Sequence, residues 1–169
     1  MTTAHMTVPP VTPETGSYFE AQPLMKNRLV WWALVGSVIF VIAAGVVATV
    51  AEGASWDARI WPTVIAVVAI ALVARMGIVT QVTSEGLQVR LWPVPFRTYA
   101  WSDIVSAEVR TYRPIVEYGG WGLRWGPSGK AYNAFGTEGV QLVLTNGKRV
   151  LVGSQRASEL ATVINTHLS

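Results

Sequence analysis

The chain has no cysteine, only two histidines and only 14% charged residues in a length of 169. Without cysteine there is no disulfide framework, no thiolate zinc site, no iron–sulfur cluster and no cysteine nucleophile. His5 lies in a proline-bearing leader and His167 two residues from the end. A Ser-His-Asp or Cys-His arrangement therefore lacks a general base. Two isolated histidines away from any carboxylate cluster also argue against a zinc site. An ordinary soluble domain carries about 25% charged residues. The shortfall, with a mean hydropathy of +0.37, argues against a freely soluble protein. The 51% hydrophobic content excludes a disordered chain, which is charge-rich and apolar-poor. The length allows one domain of about 100–150 residues plus a membrane segment.

The position of the apolar residues decides the class. Leu29–Ala51 is a charge-free run of 23 residues, LVWWALVGSVIFVIAAGVVATVA. As a helix it reaches roughly 34 Å, enough for a hydrocarbon core of about 30 Å. Trp31 and Trp32 stand at its start, where interfacial aromatics belong, after Lys26 and Arg28. Ile60–Ala74 is a second charge-free stretch, but as a helix it covers only about 22 Å. A full second span then runs on to about Val79 and takes in Arg75, whose stem can snorkel to the headgroups. Pro62 is expected in the first turn, where its missing N–H breaks no helical bond. Trp56 and Trp61 mark the same interface. A link over Glu52–Arg59 makes the two helices an antiparallel hairpin spanning residues 29–79, with helices at about 29–51 and 60–79.

Lys26 and Arg28 before the first helix, and Arg75 and Arg90 at or beyond the end of the second, outnumber Arg59 in the link. Lys/Arg excess marks the cytoplasmic side, which predicts a multi-pass protein of the cell (inner) membrane with both termini inside. A cleavable signal peptide has a short apolar region near the start, whereas 28 residues precede this longer one. Residues 1–28 hold Pro9, Pro10, Pro13 and Pro23 without helical periodicity and read as a flexible tail.

From Ile78 onward the pattern changes to period two. Ile78–Val82 is β-rich and ends in a turn signal, Thr83-Ser84-Glu85-Gly86. Leu87, Val89 and Leu91 then alternate with Gln88, Arg90 and Trp92, as a half-buried strand requires. Phe96–Trp101 and Ile104–Tyr112 continue the series. In Gly139–Gly153, Asn146-Gly147 is the pair favoured in two-residue type I′ hairpins. That turn pairs Val143 with Val150 and Leu142 with Leu151 and leaves Lys148 and Arg149 at the tip, in water. Gln155–Leu168 reads as a helix with one apolar stripe of Ala157, Leu160, Ala161, Ile164 and Leu168, N-capped by Ser154. Residues 78–169 are therefore a small α+β, mainly antiparallel β domain of about seven strands, capped by an amphipathic helix.

The VTSEGLQVRL strand–turn–strand, the YAWSDIVSAEV segment, the NGK hairpin and the final helix resemble the bacterial pleckstrin-homology-like (PH-like) modules of small two-span membrane proteins of unknown function. The similarity covers roughly residues 30–168. It implies a strongly bent antiparallel sheet with one open end plugged by the terminal helix. Eukaryotic relatives of that fold often bind phosphoinositides through basic residues of the first hairpin loop. Here that loop is Thr83-Ser84-Glu85-Gly86, acidic and without lysine or arginine, so that property does not carry over.

Tyr118–Lys130, YGGWGLRWGPSGK, is the one unusual segment. A phosphate loop needs G-x-x-x-x-G-K-[ST], but Arg124 stands where its first glycine belongs and Ala131 follows Lys130. Gly120, Gly122 and Gly126 miss the dinucleotide-loop spacing, and no helix follows. Two readings remain. In one, the glycines permit turns and Trp121 and Trp125 pack on the sheet. In the other, Arg113, Trp121, Arg124, Trp125 and Lys130 form an exposed aromatic–basic patch that lies on anionic headgroups or grips a partner. The acids Glu85, Asp103, Glu108, Glu117 and Glu138 are scattered over turns and strand faces, which favours solvated roles. Residues 77–169 hold nine basic and six acidic residues, too dispersed for nucleic acid.

The expectation is a non-enzymatic membrane protein without cofactor or metal, whose partners are the lipid bilayer and a protein. The cytoplasmic module binds that protein or the membrane surface. An accessory subunit of a larger membrane complex, using the hairpin as its interface, is the alternative. An enzyme on lipid or envelope substrates is a remote third.

Overall fold

A short strand, β1 (Phe19–Pro23), opens the fold and leads through one 3-10 turn at Leu24–Lys26 into the first long helix. In the computed structural model, which describes residues 18–50 and 56–169, β1 pairs antiparallel with β2 (Gly77–Thr83), placing Glu20 beside Thr80 and Gln22 beside Ile78. This corrects the flexible-tail reading for residues 18–27; residues 1–17 lie outside the described residues. The strand is hard to see in sequence because its pattern is inverted. Polar Glu20 and Gln22 face inward while Phe19 and Ala21 face out.

Asn27 ties this segment to the helix that follows. Its Oδ1 accepts the Leu29 N–H at 3.0 Å, and its Nδ2 donates to the Ala134 carbonyl at 3.3 Å. Among the described residues, helix α1 (Arg28–Val50) is the one helix long and apolar enough to cross a membrane, through its Arg28–Gly45 stretch. Helix α2 (Trp56–Arg75) packs beside it and carries a shorter apolar stretch, Thr63–Arg75. Val38, Ile39, Phe40 and Ile42 on α1 are exposed, as are Trp61, Ile65, Val68 and Leu72 on α2.

The bounds of α2 correct the expected ones. It starts at Trp56, so Pro62 falls in the second turn rather than the first. It ends at Arg75 instead of running to Val79, and that arginine faces the negative end of the helix dipole. The Met76 carbonyl accepts the Leu24 N–H, and Gly77 lies so close to β1 that a Cβ there would meet the Gln22 carbonyl oxygen at 3.0 Å. The β-branched residues Ile78, Val79 and Thr80 then go into strand β2, where their stiff side chains are best accommodated. The expected link partly dissolves: 56–59 are helical, while 51–55 and the Trp56 side chain lie outside the described residues.

The cap contains two sheets where one bent sheet was expected. The first has the order β1-β2-β3-β4, with β3 at Gly86–Leu91 and β4 at Arg97–Ala100. The second has five strands: β5 (Ile104–Thr111), β6 (Gly122–Gly126), β7 (Gly129–Asn133), β8 (Glu138–Leu144) and β9 (Arg149–Gly153). Their order is β5-β8-β9-β7-β6, and the β7–β9 pair is parallel while the others are antiparallel. Between the sheets lies a core of Ile78, Leu87, Val89, Val140, Leu142 and Val152, closed by Leu160 and Ile164 of α4 (Ala157–Leu168).

The Asn146-Gly147 hairpin exists, but its register is one residue away from the expected one. Leu142 faces Val150 and Val143 faces Arg149. The Gly147 N–H bonds the Leu144 carbonyl, and the Leu144 N–H bonds the Lys148 carbonyl. Only Gly147 has positive φ, so the loop is a three-residue turn ending in a left-handed glycine, not a two-residue type I′ turn. The Asn146 side chain accepts the Lys148 N–H at 3.0 Å and holds that turn.

Ser154 is not a simple N-cap, since the terminal helix begins at Ala157. Its hydroxyl accepts the Arg156 N–H at 2.9 Å and donates to Glu20 Oε2 at 2.7 Å. The Tyr18 hydroxyl donates to the same oxygen at 2.5 Å, and Glu20 Oε1 takes the Gln155 N–H at 3.0 Å. A buried polar clasp thus joins the strand before α1 to the turn before α4.

Candidate functional site

The glycine- and tryptophan-rich segment folds as a short helix followed by a hairpin. Helix α3 (Pro114–Tyr118) carries proline in its first turn, where no N–H is needed. It ends at Gly119, whose φ of 70° lets its N–H and that of Gly120 reach back to Ile115 and Pro114. Glu117 of α3 forms an ion pair with Arg110 and accepts the Arg113 N–H at 2.8 Å, so it is engaged rather than simply solvated.

The five residues of the expected patch do not share one surface. In strand β6, Leu123 and Trp125 project to one side and Arg124 to the other, as the pleat requires. Arg124 lies opposite Ala131, which packs with Tyr112, Tyr118 and Leu151. Its Nε donates to the Trp121 carbonyl at 2.9 Å. Trp121 is half-buried against the main core. Together with Ile115, Met76, Val30 and Val73, Trp121 and Arg124 line a cavity of about 560 Å³ where the cap meets the bases of α1 and α2. Arg113 precedes α3 and does not line that cavity, while Ile115 and Val116 of α3 are exposed.

Trp125 and Lys130 occupy a different place. They are cross-strand partners in the β6–β7 hairpin, and the Lys130 Nζ lies 5.5 Å from the Trp125 ring centroid and 4.7 Å from that of Tyr132. These distances suit cation–π attraction, which holds the ammonium group beside the indole. The parallel pairing of β7 with β9 sets Lys130 against Val150, so Lys148 and Arg149 of the neighbouring hairpin come alongside. Gly129 makes the approach possible, since a Cβ there would sit 2.3 Å from the Arg149 carbonyl oxygen. Arg97, from β4 of the other sheet, completes a cleft of about 690 Å³.

Arg97, Lys130, Lys148 and Arg149 line this cleft with Trp125, and no acidic side chain does. Neither ion pair among the described residues, Arg110–Glu117 or Arg156–Glu159, involves any of the four. Tyr99 forms part of the wall. Burial, followed by its hydrogen bond with Tyr132, raises its phenol well above the ordinary tyrosine range, so it stays neutral. The charge of the cap is therefore less dispersed than its composition implied: four of its nine basic residues converge here. In sequence Lys148 and Arg149 are legible only as the exposed tip that follows the Asn146-Gly147 turn, and no local signal points to Arg97.

His167 is committed to packing. Its ring stacks on Trp101 at 4.5 Å, and Nδ1 lies 2.9 Å from the Val163 carbonyl oxygen. Among the described residues no group of three or more histidine, aspartate or glutamate side chains is placed to hold a metal ion. No protein-family model matches the chain, and no curated protein matches it.

Proposed function

We propose that the chain is a membrane-anchored, non-enzymatic interaction module. In this reading α1 and α2 cross the cell (inner) membrane as an antiparallel hairpin. The cap is a PH-like domain on the cytoplasmic side, seated on the headgroups by the α3–Trp121 edge. The observation that carries the proposal is the pair of packed helices whose outward apolar side chains no other element covers among the described residues. In water such a surface is a liability; in hydrocarbon it is the expected exterior. The strand–helix order and the closing helix α4 support the PH-like assignment.

The membrane edge adds to this. Ile115 and Val116 are 60% and 76% exposed on α3, whose Ile115 shares a cavity with Val30 and Val73 of the two long helices. Arg113 and Arg124 flank them, and a basic residue near an anionic leaflet contributes about 1 kcal/mol.

Reporter fusions at both termini and within residues 52–55 test the arrangement. The expected result is cytoplasmic termini and an external link. A chain that stays monodisperse in buffer without detergent, or a carboxyl terminus open to protease outside intact cells, would overturn it.

A further inference from the structure

We infer that the cleft between the β6–β7 and β8–β9 hairpins is a binding site for phosphoryl groups, separate from the α3–Trp121 edge. Three chain segments that are distant in sequence bring Arg97, Lys130, Lys148 and Arg149 to one concavity of about 690 Å³. Gathering like charges in a cleft wall that holds no acidic side chain opposes folding rather than aiding it, so stability does not account for the cluster. An anion does. Two guanidinium groups supply planar forks of N–H donors matched to phosphate oxygens, and two ammonium groups add compact charges. The indole of Trp125, 70% exposed beside Lys130, offers a flat apolar face for the organic part of the ligand.

The phosphoryl group can belong to a lipid headgroup or to a soluble phosphate ester. The proposal rests on the membrane reading only for the lipid source. It does not use the first hairpin loop, Thr83–Gly86, which contributes no residue to the cleft wall and carries Glu85.

The test uses the full chain. In neutral detergent, calorimetric titration with inorganic pyrophosphate probes the soluble source. In nanodiscs of phosphatidylcholine, with or without phosphatidylglycerol, hydrogen exchange of the 126–130 and 146–148 loops probes the lipid source. Lys148→Glu with Arg149→Glu alters two exposed tip residues, so the fold is retained. It is expected to weaken pyrophosphate binding, or to abolish the phosphatidylglycerol-dependent protection, by at least about tenfold. Arg113→Glu with Arg124→Glu, at the other edge, leaves pyrophosphate binding in detergent within about twofold.

Pyrophosphate binding that depends on the tip charges supports a soluble phosphate ester, and protection seen only with phosphatidylglycerol supports a lipid headgroup. Three results overturn the assignment: neither probe binds, both charge-reversed pairs weaken binding equally, or polyglutamate competes as well as pyrophosphate. The last would make the cleft an acidic-peptide site. Because the titration in detergent needs no bilayer, its failure is distinguishable from failure of the membrane proposal.

Discussion

Glu20→Ala should release strand β1 from the cap, and the size of the effect follows from what the carboxylate holds. Its Oε2 accepts hydrogen bonds from Tyr18 and Ser154, and its Oε1 accepts the Gln155 N–H. Tyr18 is 1% exposed and Ser154 is fully buried, so neither hydroxyl reaches water once the carboxylate is gone. The two lie 2.9 Å apart, so one can donate to the other and a single donor is left orphaned. That donor costs about 2 kcal/mol, less whatever is regained by no longer burying a charged group, and the exposed Gln155 N–H recovers a water. At 1.4 kcal/mol per decade, opening of β1 becomes more frequent by roughly one to two orders of magnitude. Hydrogen exchange of the detergent-solubilised chain reads this directly. The Val82 N–H, bonded to the Tyr18 carbonyl at 2.8 Å, and the β1–β2 ladder amides should exchange faster in that proportion, while the β8–β9 amides stay protected. Glu20→Gln, which keeps one acceptor oxygen, should fall between. If the β1–β2 amides of Glu20→Ala exchange at the wild-type rate, the ladder, the Leu24 anchor and the bonds from Gln22 to the Gly153 carbonyl and from Arg156 to the Phe19 carbonyl hold the strand, and the Glu20 clasp has no energetic role.

Two further predictions concern the cap. Burial, only partly offset by an interaction with Asn133, pushes the Tyr112 phenol from 10.0 up to about 12, so the folded chain keeps a proton that the unfolded chain releases. Stability should be complete below pH 10 and fall by about 2–3 kcal/mol as pH rises toward 12. Tyr112→Phe should flatten that part of the decline, measured by denaturant unfolding across the alkaline range; an unchanged slope would refute the assignment. Separately, a Cβ on Gly86 would sit 2.1 Å from the Tyr99 carbonyl oxygen across the β3–β4 ladder. Gly86→Ala should therefore cost about 3 kcal/mol by forcing the two strands apart, seen as a lower unfolding midpoint. Wild-type stability would show that β4 yields at no cost.

The features legible in sequence are those set by neighbours along the chain. The apolar run that became α1, the alternation of Leu87, Val89 and Leu91 in β3, and the stripe of α4 each follow from local periodicity. One residue of local geometry was enough to shift the Asn146-Gly147 register, because a two-residue and a three-residue loop use the same residue pair. Strand β1 escaped because the residues it buries are Glu20 and Gln22, and polar side chains facing a clasp from another part of the chain leave no hydrophobic signature.

Composition and order alone determined that this protein has a long apolar helix near its start and a strand-rich cap closed by an amphipathic helix. Hydropathy and side-chain stiffness act over a few residues and need no partner. Only the tertiary structure decided which charges meet. Trp125 and Lys130 parted from Arg113, Trp121 and Arg124 because the pleat and the α3 turn send them to different sides; Lys148 and Arg149 joined them because β7 lies parallel to β9, and Arg97 because β4 of the other sheet completes the cleft. Strand neighbours are chosen by burial of the whole core, and no window along the chain contains that information.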